Sequence, residues 1–401
     1  MSDETPSASV SPGAGGDISG EGAPGSDEQA VARRLVDRLR AAMDESGGAL
    51  DFSEFMQRAL YEPGLGYYVG GRYKLGTDGD FVTAPQMGDL FGECLARQCA
   101  EVLDALPNEG DILEFGAGTG ILCAQILESL QRSDRLPGRY DILELSPELR
   151  ERQRGTIARR CPELLDRCRW LNRLPGHFEG VVVANEVLDA MPVERFRVTD
   201  AGLEVIQVTW ADGAFRETAR PAQPGELTAI VEKGLPSGYE SEAGILAQHW
   251  VAGIGDWLRR GVVLIIDYGF PAREYYHAER SAGTLMCHFR HRAHPDPYRN
   301  VGMQDITAHL DFSALAQRAA DTGLDVLGFV HQAAFLLSLG LLDLVPGRME
   351  AADADQWRLS QQVQRLTQPH EMGELFKVLA LGRDFNAPLA GFQYLDHRRR
   401  L

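Results

Sequence analysis

The stretch that decides the fold lies at residues 111–120 and reads Asp-Ile-Leu-Glu-Phe-Gly-Ala-Gly-Thr-Gly. Ile112, Leu113 and Phe115 form a short apolar run, which is typical of a buried parallel strand. Three alternating glycines follow, and apolar residues then recur at helical spacing through residues 121–130. The order of strand, glycine turn and helix predicts the nucleotide-binding corner of an open α/β sheet, where a Cβ would clash with an approaching ligand.

The glycine pattern excludes two common nucleotide-binding loops. A dinucleotide fingerprint needs Gly-x-Gly-x-x-Gly, but Ile121 stands where the last glycine belongs. A phosphate-binding loop needs Gly-Lys-Ser/Thr, which does not follow here. What remains is Glu-x-Gly-x-Gly-x-Gly, with Glu114 at the end of the strand. This pattern resembles the first motif of class I S-adenosylmethionine-dependent methyltransferases, which implies that the loop passes beneath the methionine part of the cofactor.

Polar residues follow the next strands at the points where those strands end. Residues 140–145 read as the second strand, and Glu144 lies at the position that holds ribose hydroxyls in such folds, close to the spacing of about 20 residues after the glycines. Residues 181–184 read as a buried strand followed by Asn185. The predicted cofactor-binding residues are therefore Glu114, Gly116, Ala117, Gly118, Gly120, Glu144, Leu145 and Asn185.

The strand and helix alternation predicts an α/β fold. A Rossmann-like, seven-stranded sheet of the class I methyltransferase type accounts for residues 108–385, with the final strand pair antiparallel. Insertions are predicted at 195–245, starting with a hairpin around 199–202, and at 270–311. The remaining regions are a disordered acidic tail at 1–28, a helical and lid region at 29–107, and a C-terminal tail at 386–401.

The composition of the chain limits the classes of partner that we expect it to bind. The chain has 401 residues and a net charge of −18, which disfavours nucleic acid because phosphate binding needs a basic surface. No run of about 18 apolar residues occurs, so no membrane partner is expected. Residues 1–28 lack the features of a signal or transit peptide, and arginine greatly outnumbers lysine, which together predict a bacterial cytoplasm. The oligomeric state stays open, with a homodimer as one option.

A histidine-rich stretch raises the question of a metal. His288, His291 and His294 are followed by Asp305, His309 and Asp311, but the spacing matches no common zinc pattern, and Arg290 and Arg292 would oppose a cation. The six cysteines show no paired C-x-x-C spacing. We therefore expect a packed polar loop and no metal ligand.

Several stretches together resemble the MidA-type methyltransferases, a family that includes a mitochondrial complex I assembly factor that methylates an arginine. The matching stretches are residues 61–68, 79–85, 113–120, 185–192, 267–269, 283–285 and 304–312. The resemblance implies S-adenosylmethionine as cofactor and an arginine of a protein substrate as methyl acceptor. One departure is Gln86, where the family commonly has Glu.

The loops before the glycine strand and the matching stretches give the candidate substrate and lid residues. Loops of this kind commonly form lids over active sites. The candidates are Tyr67, Tyr68, Asp80, Thr83, Pro85, Asp267, Tyr268, Asp305 and His309.

Arginine methylation would need carboxylates near the acceptor, because the guanidinium pKa lies above about 12. A carboxylate can hold the guanidinium and help its proton leave. Glu186 and Asp189 follow a strand end and are the predicted catalytic residues, with Glu186 as the guanidinium clamp. For Glu186, capping of the next helix or contact with cofactor alone stays open. The alternative functions are methylation of a small molecule, a non-catalytic assembly factor that retains the fold, and a nicotinamide oxidoreductase.

Overall fold

The secondary structure alternates strands and helices through most of the chain. The structure is a computed structural model that describes residues 25–70, 83–345 and 353–401. The helices are α1 Ser26–Glu45, α2 Phe52–Tyr61, α3 Leu90–Ala105, α4 Ile121–Arg132, α5 Pro147–Arg160, α6 Thr228–Val231, α7 Ile245–Trp257, α8 Ala272–Tyr275, α9 Phe312–Asp321, α10 Gln332–Ser338 and α11 Asp353–Thr367. The strands are β1 Ala49–Asp51, β2 Asp111–Phe115, β3 Tyr140–Leu143, β4 Cys168–Leu171, β5 Phe178–Asn185, β6 Glu194–Thr199, β7 Gly202–Ala211, β8 Ala214–Pro221, β9 Glu240–Ala243, β10 Leu258–Phe270, β11 Met286–Phe289, β12 Arg292–His294, β13 Asp305–Thr307, β14 Leu310–Asp311, β15 Asp325–His331 and β16 Phe376–Arg383.

The central sheet has the strand order β15-β16-β10-β5-β2-β3-β4, and β14 adds a short pairing to β10. Strands β4, β3, β2, β5 and β10 run parallel, whereas β16 is antiparallel to both β10 and β15. This arrangement confirms the predicted fold class, including the antiparallel final pair. Because the strands are parallel, the carboxyl ends of β2, β3, β5 and β10 lie at one edge of the sheet, where ligands bind in such folds.

Both faces of the central sheet are covered by helices, as a parallel sheet requires. In β5, Val181 and Val183 belong to the core under α3, α4, α5, α10 and α11, whereas Val182 and Ala184 belong to the core under α7 and α9. All four side chains are fully buried. The alternation follows from the two-residue period of a strand and explains why the sequence of β5 is a continuous apolar run.

The first insertion forms a second sheet that the sequence predicts only in part. The hairpin β6–β7 is confirmed, with Thr199 opposite Gly202. Residues 219–243 are predicted as loop and short helix, but β8 and β9 extend this sheet on either side. Exposed charges interrupt the alternation of β8, so its pairing has no clear local pattern. The fifth strand is β1, from the N-terminal region, where Ala49 pairs with Thr209.

The second insertion is also more ordered than the predicted polar loop. Its strands form a small sheet of order β12-β11-β13. Cys287 and Ile306 of this sheet are buried in the core that also holds α1 and α2. The N-terminal region and both insertions therefore pack as one unit beside the central sheet. Pairing between such distant segments leaves no local signal in the sequence.

Two predicted boundaries differ from the structure. Helix α1 begins at Ser26, so residues 26–28 belong to a helix and not to the predicted tail. Residues 1–24, 71–82 and 346–352 lie outside the described residues. At the other end, Leu389 and Phe392 are buried, so part of the predicted C-terminal tail packs against the core. In the described ranges, no helix combines the length and the apolar character that crossing a membrane would need.

Close strand contacts at the amino ends of the sheet predict a severe effect for one substitution. Gly180 has φ +148°, and a Cβ built there would lie 1.8 Å from the Asp111 carbonyl oxygen of the next strand. We expect Gly180→Ala to lower the free energy of unfolding by about 3 kcal/mol, measured by urea denaturation. Gly202→Ala is the matched control, because Gly202 has φ +128° and no heavy atom within 4 Å of a built Cβ. Equal losses for the two variants would contradict the steric explanation.

Candidate functional site

A cavity of about 350 Å³ lies at the carboxyl ends of β2, β3 and β5. Its wall includes these sequence-predicted residues: Tyr68, Thr83, Pro85, Glu114, Gly116, Ala117, Gly118, Glu144, Leu145, Asn185 and Glu186. The wall also includes residues that sequence reasoning missed, among them Tyr61, Gln86, Val187, Met191 and Trp250. The structure thus brings the glycine loop, both predicted strand-end acids and part of the predicted lid around one space.

The glycine loop has the backbone that only glycine adopts readily. Gly116, Gly118 and Gly120 all have positive φ, between +52° and +81°. A Cβ built on Gly116 would lie 3.2 Å from Cγ2 of Val187, another residue of the cavity wall, so a side chain at position 116 would crowd the cavity. Helix α4 begins directly after Gly120, so its free N–H groups lie at this end of the loop. The loop therefore leaves room for a ligand against the backbone.

Glu144 is held at the end of β3 by two donors. Its Oε1 accepts from the Ser146 N–H at 2.9 Å, and its Oε2 accepts from Nε2 of Gln153 at 3.0 Å. Burial raises the pKa of Glu144, and these hydrogen bonds oppose the rise. The side chain is 7% exposed, and Leu145 beside it is 71% exposed at the mouth of the cavity. The carboxylate is thus fixed with its remaining lone pairs available to a ligand.

Glu114 lies deeper in the wall than Glu144. Its Oε2 accepts from the Tyr140 hydroxyl at 2.8 Å. Burial raises the pKa of Glu114 to about 7, although the hydrogen bond from Tyr140 lowers it. Nearby, Oδ1 of Asn185 is buried and has no hydrogen-bond partner in the structure. An unpartnered buried acceptor in a cavity wall is available to a donor on a ligand.

Glu186 turns into the cavity from the first position after β5. Its backbone has φ +53°, and its N–H donates to the Ile266 carbonyl at 2.9 Å, which continues the pairing with β10. Its carboxylate accepts from Nδ2 of Asn185 at 3.1 Å and from the Ala84 N–H. Burial and, next, the charge of Asp267 raise the pKa of Glu186 to about 8. The structure places this predicted clamp residue in the cavity wall, and its ionisation depends on neighbours from distant segments.

Three carboxylates lie behind Glu186 and outside the wall. Asp267, at the end of β10, accepts from the N–H groups of Leu188 at 3.0 Å and Asp189 at 3.2 Å through Oδ2. Burial raises the pKa of Asp267 to about 7 and that of Asp189 well above its usual range. Asp305 of β13 accepts from the Tyr68 hydroxyl at 2.9 Å. We call Glu186, Asp189, Asp267 and Asp305 the acidic cluster.

Two tyrosines of the N-terminal region complete this side of the cavity. The rings of Tyr61 and Tyr68 stack with centroids 5.4 Å apart. The Tyr61 hydroxyl donates to the Ala190 carbonyl at 3.1 Å, and the Tyr68 hydroxyl donates to Asp305. Tyr67, a predicted substrate or lid residue, is instead buried in the core of the N-terminal region. Tyr61 lies in the same turn-rich stretch of the sequence. Its aromatic side chain was the one feature that could have marked it as a residue of the cavity wall.

The remaining predicted residues lie away from the cavity wall. The rings of Tyr268 and His309 are nearly parallel, with centroids 5.9 Å apart. Burial and then Lys377 lower the pKa of His309 to about 4, so the imidazole is neutral at neutral pH. Gly120 caps α4 and does not line the cavity. Asp80 lies outside the described residues.

The histidines of the second insertion are spread over its small sheet. His288 lies in β11 opposite Asp305, His294 lies in β12, and His291 lies in the turn between these strands with φ +61°. In the part of the chain that the structure describes, no group of three His, Cys, Asp or Glu side chains is arranged to hold a metal ion.

The sequence of the core carries a recognisable family signature. Residues 94–330, more than half of the chain, match a family model described as S-adenosyl-L-methionine-dependent methyltransferase. The chain belongs to this methyltransferase family. S-adenosyl-L-methionine is therefore the cofactor, as the glycine motif predicts, and the nicotinamide and non-catalytic alternatives are set aside.

A solved structure resembles this methyltransferase over nearly its whole length. It is a crystal structure of a protein from Burkholderia thailandensis, described as a superfamily member and methyl transferase, bound to S-adenosyl-homocysteine. The two chains are 43% identical, the match covers 95% of this chain and 100% of that chain, and the TM-score is 0.90.

Relatives at lower identity carry more specific names. A Drosophila melanogaster protein is 27% identical over 393 residues, which cover 86% of this chain and 84% of the relative. A human protein is 26% identical over 371 residues, which cover 84% and 81%. They are named the protein arginine methyltransferase NDUFAF7 homolog, mitochondrial, and protein arginine methyltransferase NDUFAF7, mitochondrial. These matches confirm the predicted family resemblance. The predicted cytoplasmic location conflicts with the mitochondrial relatives and is wrong on that finding.

The cavity of this methyltransferase fits its cofactor chemically. Glu114, Glu144 and Glu186 supply acidic groups, and the described wall residues include no lysine, arginine or histidine. The cavity beside the glycine loop provides space for a cationic ligand, and the unpartnered Oδ1 of Asn185 provides an acceptor. A wall of this charge suits a nucleoside that carries a sulfonium and an amino group.

The raised pKa values predict that the free energy of unfolding decreases as pH rises. Glu186 has a pKa of about 8, and Asp267 and Glu114 have pKa values of about 7, so the fold favours their protonated forms. This contribution is fully present below about pH 4 and is lost as pH rises through 7 to 8. We expect the unfolding free energy of the cofactor-free protein to fall by several kcal/mol between pH 5 and pH 9, and that of Glu186→Gln to fall clearly less over the same range. Urea denaturation across that pH range measures both slopes.

The control for this measurement is Glu163→Gln, because Glu163 is exposed. This variant should keep the slope of the parent protein. A slope that is unchanged by Glu186→Gln would contradict the assignment of a raised pKa to Glu186.

Proposed function

We propose that this methyltransferase transfers a methyl group to an arginine side chain of a protein substrate. The observation that carries the proposal is the acidic cluster beside the cofactor cavity. Relatives that align with more than four-fifths of this chain are named protein arginine methyltransferases, which supports the same acceptor. The acceptor would enter from the side of Tyr61, Tyr68 and Glu186, because Glu114 and Glu144 lie on the side of the glycine loop.

The electrostatics of the acidic cluster favour a cationic acceptor. Asp267 raises the pKa of Glu186, and Asp305 adds to the rise. These carboxylates therefore repel one another in the free protein, and a guanidinium bound beside them would relieve that repulsion. Binding of the cation would also lower the pKa of Glu186 and hold it ionised. A neutral small-molecule acceptor would gain none of this energy.

The residues of this chain have three tasks in the proposed reaction. When bound, S-adenosylmethionine supplies an electrophilic methyl group on a positively charged sulfur. Glu186 accepts hydrogen bonds from the guanidinium and orients one nitrogen toward that methyl group. As the new N–C bond forms, a proton must leave the same nitrogen, and Glu186, which the bound guanidinium holds ionised, accepts that proton. Tyr61 and Tyr68 supply aromatic surface to the guanidinium.

The cofactor side is proposed to use the residues of the glycine loop with Glu114, Glu144, Leu145 and Asn185. Glu144 binds the ribose hydroxyls, as acids at this strand end do in such folds. Asn185 Oδ1 accepts from the amino group of the methionine part. Leu145 covers the nucleoside at the mouth of the cavity, where its side chain is largely exposed in the free protein.

The proposal includes no nucleic-acid substrate. The net charge is −18, and the described cavity wall carries acidic side chains but no basic ones. A phosphate backbone would be repelled from this surface.

The role of Glu144 can be tested by cofactor binding alone. We expect Glu144→Gln to weaken binding of S-adenosylhomocysteine by about 10-fold to 100-fold in calorimetry, because charge-assisted hydrogen bonds to ribose are lost. Glu148→Gln is the control, since Glu148 lies exposed in the first turn of α5. Unchanged affinity of the Glu144 variant would remove the ribose assignment.

The acceptor is tested with radiolabelled S-adenosylmethionine and a lysate of cells that lack this gene. Label should enter protein and, after hydrolysis, co-migrate with methylarginine. Glu186→Gln should bind S-adenosylhomocysteine within about threefold of the parent protein yet transfer label about 100-fold more slowly, because it loses the clamp and the base. Label in nucleic acid or in the small-molecule fraction would overturn the proposed acceptor, and normal turnover by the variant would overturn the role of Glu186.

A further inference from the structure

A buried glutamine in α5, Gln153, lies behind the cofactor side of the cavity. Its side chain is 0% exposed, and it does not belong to the cavity wall. Nε2 donates to the Gly118 carbonyl at 3.1 Å and to Oε2 of Glu144 at 3.0 Å. One amide group therefore joins the middle of the glycine loop to the acid at the end of β3.

The orientation of this amide is set by a third hydrogen bond. Nε1 of Trp170, in β4, donates to Oε1 of Gln153 at 2.8 Å. Because an indole N–H can only donate, the oxygen of the amide must face Trp170. The two amide hydrogens then face Gly118 and Glu144. The Trp170 ring is itself covered by the Arg154 guanidinium, 4.0 Å from its centroid.

Helix α5 also packs closely on the loop through its backbone. A Cβ built on Gly120 would lie 2.8 Å from Cα of Gln153. The first turn of α5 carries the Ser146 N–H that binds the other oxygen of Glu144. A shift of α5 would thus move the loop and the acid together, and the Gln153 amide adds a direct side-chain link between them.

We infer that Gln153 is a positioning residue for the cofactor, which holds the glycine loop and Glu144 at a fixed separation and whose amide is oriented by Trp170. The inference concerns the cofactor half of the site and rests on the ribose role of Glu144 proposed above. The methionine part and the ribose of one ligand must be bound at the same time. Preorganising their two binding elements lowers the cost of binding.

The position of Gln153 predicts that its loss affects cofactor binding and leaves the rate of methyl transfer unchanged. The hydrogen bonds of the Gln153 side chain go to Gly118, Glu144 and Trp170, so its loss should raise the KM for S-adenosylmethionine and leave kcat nearly unchanged. A general loss of structure would lower kcat and the melting temperature together.

The test is a set of S-adenosylhomocysteine titrations by calorimetry on Gln153→Met, Trp170→Phe, Glu144→Gln and the double variant Gln153→Met/Glu144→Gln. Methionine keeps the length of the side chain, and phenylalanine keeps a ring beneath Arg154. We expect Gln153→Met to weaken binding about 10-fold and Trp170→Phe about threefold. In the Glu144→Gln background, Gln153→Met should cost less than about threefold further, because the shared hydrogen bond is already weakened.

Gln98→Met is the matched control, because Gln98 is also a fully buried glutamine, in α3, and binds Glu101 and the Gly391 N–H away from the cavity. It should lower the melting temperature without changing S-adenosylhomocysteine affinity. Parent-like affinity of Gln153→Met would overturn the inference. Equal losses from Gln153→Met in both backgrounds would show that Gln153 does not act through Glu144 and would also overturn it. Neither result depends on the identity of the methyl acceptor.

Discussion

The crowding of carboxylates at the carboxyl ends of the central strands is the constraint on which this site depends. Glu114, Glu144, Glu186 and Asp267 all lie at the ends of parallel strands or directly after them. Burial raises the pKa of each one. Such a site is unfavourable for the free protein at neutral pH and becomes favourable when a cation binds. The protein is thus less stable than it could be at the proposed binding site of cofactor and acceptor, as is common at functional sites.

The carboxylates on the cofactor side of the cavity and those on the proposed acceptor side have different surroundings. On the cofactor side, Glu144 is held by the Ser146 N–H and Gln153, and Glu114 is held by Tyr140. On the proposed acceptor side, Glu186 also accepts two hydrogen bonds, but the nearby charges of Asp267 and Asp305 raise its pKa. Hydrogen bonds hold the carboxylates of the cofactor half, whereas repulsion among those of the proposed acceptor half would be relieved by a positively charged side chain.

The insertions are part of the site as well as additions to the fold. Strand β1 joins the sheet of the first insertion, and the small sheet of the second insertion packs in the same core as α2. This packing brings Tyr61 and Tyr68 to the cavity wall and Asp305 behind it. The central sheet alone would hold a cofactor, whereas the acceptor side needs all three additional segments.

The sequence by itself determined the sheet, the glycine loop and the strand-end acids. Apolar runs, glycine spacing and polar residues directly after strands are local patterns, so Glu114, Gly118, Glu144 and Glu186 could be predicted as wall residues. Strands β8 and β9, the buried position of Tyr67 and the roles of Gln153 and Trp170 could not be predicted. They depend on pairing and packing between segments that are distant in the chain. Only the tertiary structure decided which carboxylates share one buried site, and therefore which of them resist ionisation, because burial and through-space charge have no local signature in the sequence.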